Sequence, residues 1–235
     1  MLNTERVKAN SYTDAYIGKV VWSPVKSVWF LANLFVAVLV APIVATLSSV
    51  GIFIVLTAIT LCFGHSLGMH RLLIHRSYEC PKWMEYLFVY LGTLVGMAGP
   101  IGMIKQHDLR DWAQRQSRCH DYLLHGSGML KDAWWQLNCD LRLANGPEFN
   151  IEDNVLSDRF YRFIEKTWLL QQLVVAIPLY WIGGLSWLVW GVSVRIVVSV
   201  GGHWLIGYFA HNDGERTWRV EGAAVQGHNI RLAGL

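Results

Sequence analysis

Apolar and polar positions in this chain separate into long blocks. From Ser27 to Gly64 there is no Asp, Glu, Lys or Arg, and from Trp168 to Ala210 the one charged residue is Arg195. About 20 apolar residues, rising roughly 1.5 Å each in a helix, cross a hydrocarbon core about 30 Å thick. Each block is about twice that length. Turn-compatible residues lie near both middles: Ser48, Ser49 and Gly51 in the first block, Gly183, Gly184 and Ser186 in the second. The pattern predicts two helical hairpins, with spans near residues 29–46, 51–68, 168–182 and 188–209. A fifth apolar stretch, Trp83 to Ile104, is punctuated by Gly92, Gly96, Gly99, Pro100 and Gly102. It reads as a helix lying against the membrane face without crossing it.

Charge orients this arrangement. Of the 20 Lys and Arg residues, all but Arg195 lie in the N-terminal segment, the central region or the C-terminal tail, and the two hairpin turns carry none. By the positive-inside rule those three regions, and both termini with them, face the cytoplasm. Residues 105–166, with nine Lys/Arg and ten Asp/Glu, look like a helical cap on that side. The predicted fold class is therefore an all-α, multi-pass integral membrane protein. It comprises one domain over residues 1–235, four transmembrane helices in two hairpins, and a cytoplasmic helical cap.

Composition agrees, at 53% hydrophobic, 16% charged and twelve Trp. Such a chain is not an ordinary soluble enzyme. The net charge of +3 is not gathered into a basic run, so nucleic acid is not a predicted partner. Cys62, Cys80, Cys119 and Cys139 show no CxxC spacing, which leaves zinc ribbons and iron–sulfur clusters unsignalled. The first 26 residues lack the pattern of a cleaved secretory signal.

The candidate chemistry lies in the histidines. All nine (His65, His70, His75, His107, His120, His125, His203, His211 and His228) fall in cytoplasmic segments or where a span meets the cytoplasm. Imidazole is the commonest metal-binding side chain, and a set at one membrane depth suits a metal site built at helix ends. His70 and His75 are five apart, roughly 140° on an ideal α-helix, so they share a face only if the helix ends between them. His107 and Asp111 are four apart and can share one. HExxH spacing is absent.

The run Gly64-His65-Ser66-Leu67-Gly68-Met69-His70-Arg71-Leu72-Leu73-Ile74-His75-Arg76-Ser77-Tyr78 closely resembles the first histidine box of the membrane fatty acid desaturases of the acyl-CoA type. Trp204-Leu205-Ile206-Gly207-Tyr208-Phe209-Ala210-His211 resembles that family's segment ending in a further metal-binding histidine, with Gly207 where an Asn is usual. The resemblance covers Trp22 to Leu235. It implies a non-haem di-iron, oxygen-dependent acyl desaturase that introduces a cis double bond into a long acyl chain, in unsaturated fatty acid synthesis. Its implied metal ligands are His70, His75, His107 and His211, and O2 is the co-substrate. The acyl chain would be linked to CoA, phospholipid or carrier protein. Electrons would come from an external ferredoxin-like or cytochrome b5-like protein, since no flavin, haem or iron–sulfur motif is present. A lipid hydroxylase of the same di-iron class, or an inactive desaturase-like membrane protein, are the alternatives.

Two departures bear on these expectations. The family's second box, HxxHH, here reads His107-Asp108-Leu109-Arg110-Asp111, so Arg110 and Asp111 stand where paired histidines would be. Asp111 is read either as a carboxylate ligand or as a helix-face residue paired with Arg115, and His120 and His125 are candidate substitutes. The third box is missing: the tail from Gly227 to Leu235 resembles only the approach to it, and the chain is expected to be truncated at its C-terminus. Arg195 is expected to make a structural polar contact between spans.

Overall fold

The structure is a computed structural model that describes residues 6–214; His228 and the tail from Gly227 lie outside the described residues. It is mostly helical, and it groups into two compact units. Among the described residues, one comprises 29–106 and 152–200, the other 6–28, 107–151 and 201–214.

In the first of these, α1 (Pro24–Val40) enters from the polar N-terminal segment, and the chain then turns at residues 41–44. Helix α2 (Leu47–Ile74) comes next, and it opens with a capping box. The Thr46 hydroxyl accepts from Ser49 N at 3.1 Å, and the Ser49 hydroxyl accepts from Thr46 N at 2.9 Å. Hydroxyl side chains here satisfy the orphan N–H groups of a helix start. Ser48, Ser49 and Gly51 are therefore in the opening turns of a helix, and the hairpin turn lies several residues earlier than the sequence pattern places it.

The last part of α2, Ile59–Ile74, is wound as a π-helix. Packed along it is α3 (Lys82–Thr93). The two backbones approach so closely that a Cβ at Gly64 would lie 2.3 Å from Gly92 N, and one at Gly68 would lie 2.4 Å from the Phe88 carbonyl carbon. At 12 residues, α3 spans about 18 Å, short of a hydrocarbon core. The apolar stretch 83–104 is thus two elements: after Gly96 the chain restarts as α4 (Pro100–Gln114). Glu165, on α8 (Arg159–Thr167), accepts from Ile101 N at 2.9 Å and from Gly102 N at 3.2 Å, placing a carboxylate on the positive end of α4.

The second apolar block reads by hydrogen bonding as one helical run, Gln171–Asn212, but it reverses at Gly184, whose φ of 62° and ψ of −154° are open only to glycine. Contacts demonstrate the reversal. Leu179 packs with Val192 and Ile196, and the Arg195 guanidinium donates to the Gln172 side chain at 2.6 Å. In a straight helix residues 172 and 195 would be about 35 Å apart. The two arms are α9 (Gln171–Leu188) up to Gly184, and its continuation through the π-wound Val189–Val194 into α10 (Arg195–Asn212). The turn sits beside that of the first hairpin: Trp187 donates to Ser48 at 3.0 Å and Trp190 to the Ala41 carbonyl at 3.1 Å. Arg195, 1% exposed, also donates to the Gly191 carbonyl at 2.7 Å and to the Leu94 carbonyl, a structural clip between elements.

The other unit corrects the all-α expectation. The N-terminal segment forms β1 (Val7–Lys8) and β2 (Gly18–Trp22). These pair antiparallel with β4 (Glu148–Phe149) and β3 (Cys139–Leu143) respectively. Gly18 to Trp22 run opposite Leu143 to Cys139, and the facing Val20 and Leu141 pack on a small core of Ala15, Ala113, Cys119, Tyr122 and Leu123. Period-2 alternation over five residues is too short to register beside 40-residue apolar blocks. Helices α5 (Asp121–Leu124) and α6 (Met129–Asn138) complete this unit with the end of α10, and the four-residue helix α7 (Asp153–Leu156) leads into α8.

Candidate metal centre

His70 lies in the last turns of α2 and His75 caps it. The π-winding narrows the 140° separation that α-helical geometry predicts. With hydrogen bonds stepping five residues, as in His75 N to His70 O at 2.9 Å, each residue turns the helix less and residues five apart come onto the same side. Their Nε2 atoms are 3.1 Å apart. Two ligands of one ion, each about 2.1 Å from it, show that separation. Residues 76–78 fix the helix end. Arg76 adopts the left-handed conformation, at φ 48°, and pairs with Glu152 at 2.8 Å. Ser77 N donates to the Arg71 carbonyl at 2.8 Å, and the Tyr78 hydroxyl donates to the Leu67 carbonyl at 3.1 Å.

The third member arrives on α4. One nitrogen from each of His70, His75 and His107 lies within 4.8 Å of the others. His107 is the eighth residue of α4. The Asp111 carboxylate stands 3.4 Å from His107 Nδ1, one turn on. From there it can orient the ring with Nε2 outward, as carboxylates behind metal-bound imidazoles do.

The remaining sequence candidates are elsewhere. His120 caps α5, its Nδ1 accepting from Tyr122 N at 3.1 Å, and packs on Trp135. His125, 2% exposed and left-handed at φ 52°, bonds through Nδ1 to Asp132 at 2.7 Å and through Nε2 to the Arg110 guanidinium. His211 stacks on His125 with ring centroids 5.3 Å apart, and its Nε2 is 3.3 Å from the Gln114 amide nitrogen. Gln114 is seven residues, or about 10 Å of helix rise, beyond His107. His203 is exposed.

Asp132 carries no mark in the sequence, and Trp204 enters it only as the start of the segment that ends at His211. Asp132 is fully buried and accepts from Trp204 Nε1 at 2.8 Å as well as from His125. Burial would raise its carboxyl, but the hydrogen bonds from His125 and Trp204 hold it below the usual range. One Asp among the ten acidic residues of the cap has no signal of its own, and only the fold brings it under His125.

Among curated proteins, the chain is 33% identical over 197 residues to the sn-1 stearoyl-lipid 9-desaturase of Anabaena variabilis, covering 80% of this chain and 69% of that one. The chain belongs to the membrane fatty acid desaturases. Within that family it is also 27% identical, over 81% of its length, to the acyl-CoA C20 Delta5-desaturase of Anemone leveillei. To the chloroplastic palmitoyl-monogalactosyldiacylglycerol delta-7 desaturase of Arabidopsis thaliana it is 30% identical over 77%. It spans 61% and 49% of those two relatives. No family model matches it. In this desaturase chain the first box and the opening histidine of the second are brought together, and the positions of the other two second-box histidines are taken by Arg110 and Asp111.

Proposed function

We propose that this chain acts in oxygen-dependent desaturation of a long acyl chain bound to CoA, lipid or carrier protein, using redox metal held by His70, His75 and His107. The observation that carries this is the convergence of those three imidazoles in a chain 33% identical to a lipid desaturase. A saturated carbon chain offers no charge for a side chain to polarise, so O2 is the oxidant and the bound redox metal would supply its activation. The protein's residues supply the rest. The π-wound end of α2 holds two imidazoles at ligand spacing, Glu165 fixes the start of the helix that carries the third, and Asp111 orients it. Electrons come from a separate ferredoxin-like or cytochrome b5-like donor.

The membrane placement belongs to the same proposal: four spans, with the histidines and both termini on the cytoplasmic side. Its support is an inverted burial pattern. Ile43, Leu47, Trp181 and Ile182 are 72–91% exposed, while Arg195, Gln172, Ser49 and Thr60 are at most 3% exposed. A protein in hydrocarbon turns its apolar residues outward and satisfies its polar groups internally.

A second reading, a relative that keeps the fold without turnover, draws on Arg110 and Asp111 at second-box positions. Expression in a host lacking its own desaturase, with monounsaturated acyl chains measured, separates the two. Unsaturation that disappears in His70→Ala, His75→Ala and His107→Ala supports the enzyme. No unsaturation from membrane-inserted, metal-bound wild type supports the inactive relative.

A further inference from the structure

Three departures from the family's pattern meet at one point. Arg110 replaces a second-box histidine, Gly207 replaces the usual Asn, and His125 lies outside every box. In the structure the Arg110 guanidinium donates to His125 Nε2, and its other amino group donates to the Gln136 side chain at 2.9 Å. A Cβ at Gly207 would stand 3.1 Å from His125 Nε2, so a larger residue there would press on the ring that Arg110 holds. Behind His125 the chain of contacts continues through Asp132 to Trp204. Stacked on the same imidazole is His211, the fourth histidine that the resemblance makes a ligand.

We infer that this Arg110–His125–Asp132 chain occupies the place of a second metal ion, and that the 235-residue protein binds one ion, at His70, His75 and His107. Two features exclude a second. An Arg side chain is always protonated and has no lone pair to offer, so position 110 cannot ligate and repels a cation placed beside it. His125 has both ring nitrogens engaged, Nδ1 by a carboxylate and Nε2 by the guanidinium, so it cannot replace the lost ligand. A fixed positive charge, linked through the His125 ring to the carboxylate of buried Asp132, leaves the site electrostatically complete without metal. The inference rests on the proposed metal reading of the first site and goes beyond it in stoichiometry.

Anaerobic titration of the purified, detergent-solubilised 235-residue protein with Co(II) tests it, read by visible absorbance and by metal analysis after desalting. Wild type is expected to saturate at one equivalent, and His107→Ala to lose it. Arg110→His, which removes the guanidinium and returns a second-box imidazole while leaving Asp111 behind His107, is expected to take up a second equivalent. Arg110→Gln, which removes the charge and adds no imidazole, keeps one. Saturation of wild type at two equivalents overturns the inference and leaves the metal reading standing. A monodisperse Arg110→His variant that stays at one equivalent overturns the role given to Arg110. No binding by wild type overturns the metal reading, and the inference with it.

Discussion

Burial holds the His125 imidazole below its ordinary range; the bond to Asp132 pulls the other way, and the neighbouring Arg110 charge adds to the depression. The unfolded chain takes up a proton here near pH 6.5, and the native protein only at lower pH. Between those values the unfolded state binds more protons, so stability is present above about pH 6.5 and falls as the medium is acidified toward the native value. The melting temperature should drop between pH 7.5 and 5.5, and His125→Gln should flatten that dependence. Asp132→Asn should cost about 1–3 kcal/mol, because it weakens a fully buried acceptor with two donors; chemical denaturation in detergent measures it. At this scale the sequence marked His70, His75 and His107 through local motifs, and these three residues cluster in the fold. It offered His125 as a candidate substitute ligand; the residues that engage it come from positions 110 and 132, and their meeting is a property of the fold.

At the scale of elements, the proposed metal site depends on how α2 ends. Its π-winding is held on one side by α3, against which Gly64 and Gly68 lie with no room for a side chain. Gly68→Val should force the two backbones apart, destabilise the protein by roughly 1–3 kcal/mol or more, and lower the affinity of the His70/His75 pair for metal. Gly51→Ala, where a Cβ meets nothing within 4 Å, should leave both unchanged. Thermal unfolding and Co(II) affinity of the two variants make the comparison. Glycine spacing in the first box was visible in the sequence as part of a motif; its reason, a close approach by α3, was not.

At the scale of the whole molecule, the proposed four-span topology puts Gly184 on the side opposite Lys105, in keeping with the outward-facing apolar residues and the absence of Lys and Arg from both turns. With the native cysteines replaced, a single cysteine at 184 should react with a membrane-impermeant maleimide only from the non-cytoplasmic side, and one at 105 only from the cytoplasm. Cytoplasmic labelling at 184 would refute the four-span topology. What the sequence alone determined is whatever a long, uninterrupted signal can specify. Two apolar blocks too long for one helix each, the reversal at Gly184 and the first histidine box all arise from local pattern, because chain length, charge and a glycine's φ act where they stand. What only the tertiary structure decided is what depends on distant partners. The first hairpin turn moved to residues 41–44 because Thr46 and Ser49 cap a helix, and the N-terminal segment became strands because residues 139–149 were there to pair with it. His70 and His75 came to share a face because a helix packed with i→i+5 hydrogen bonds turns more slowly than the α-helix that sequence spacing assumes.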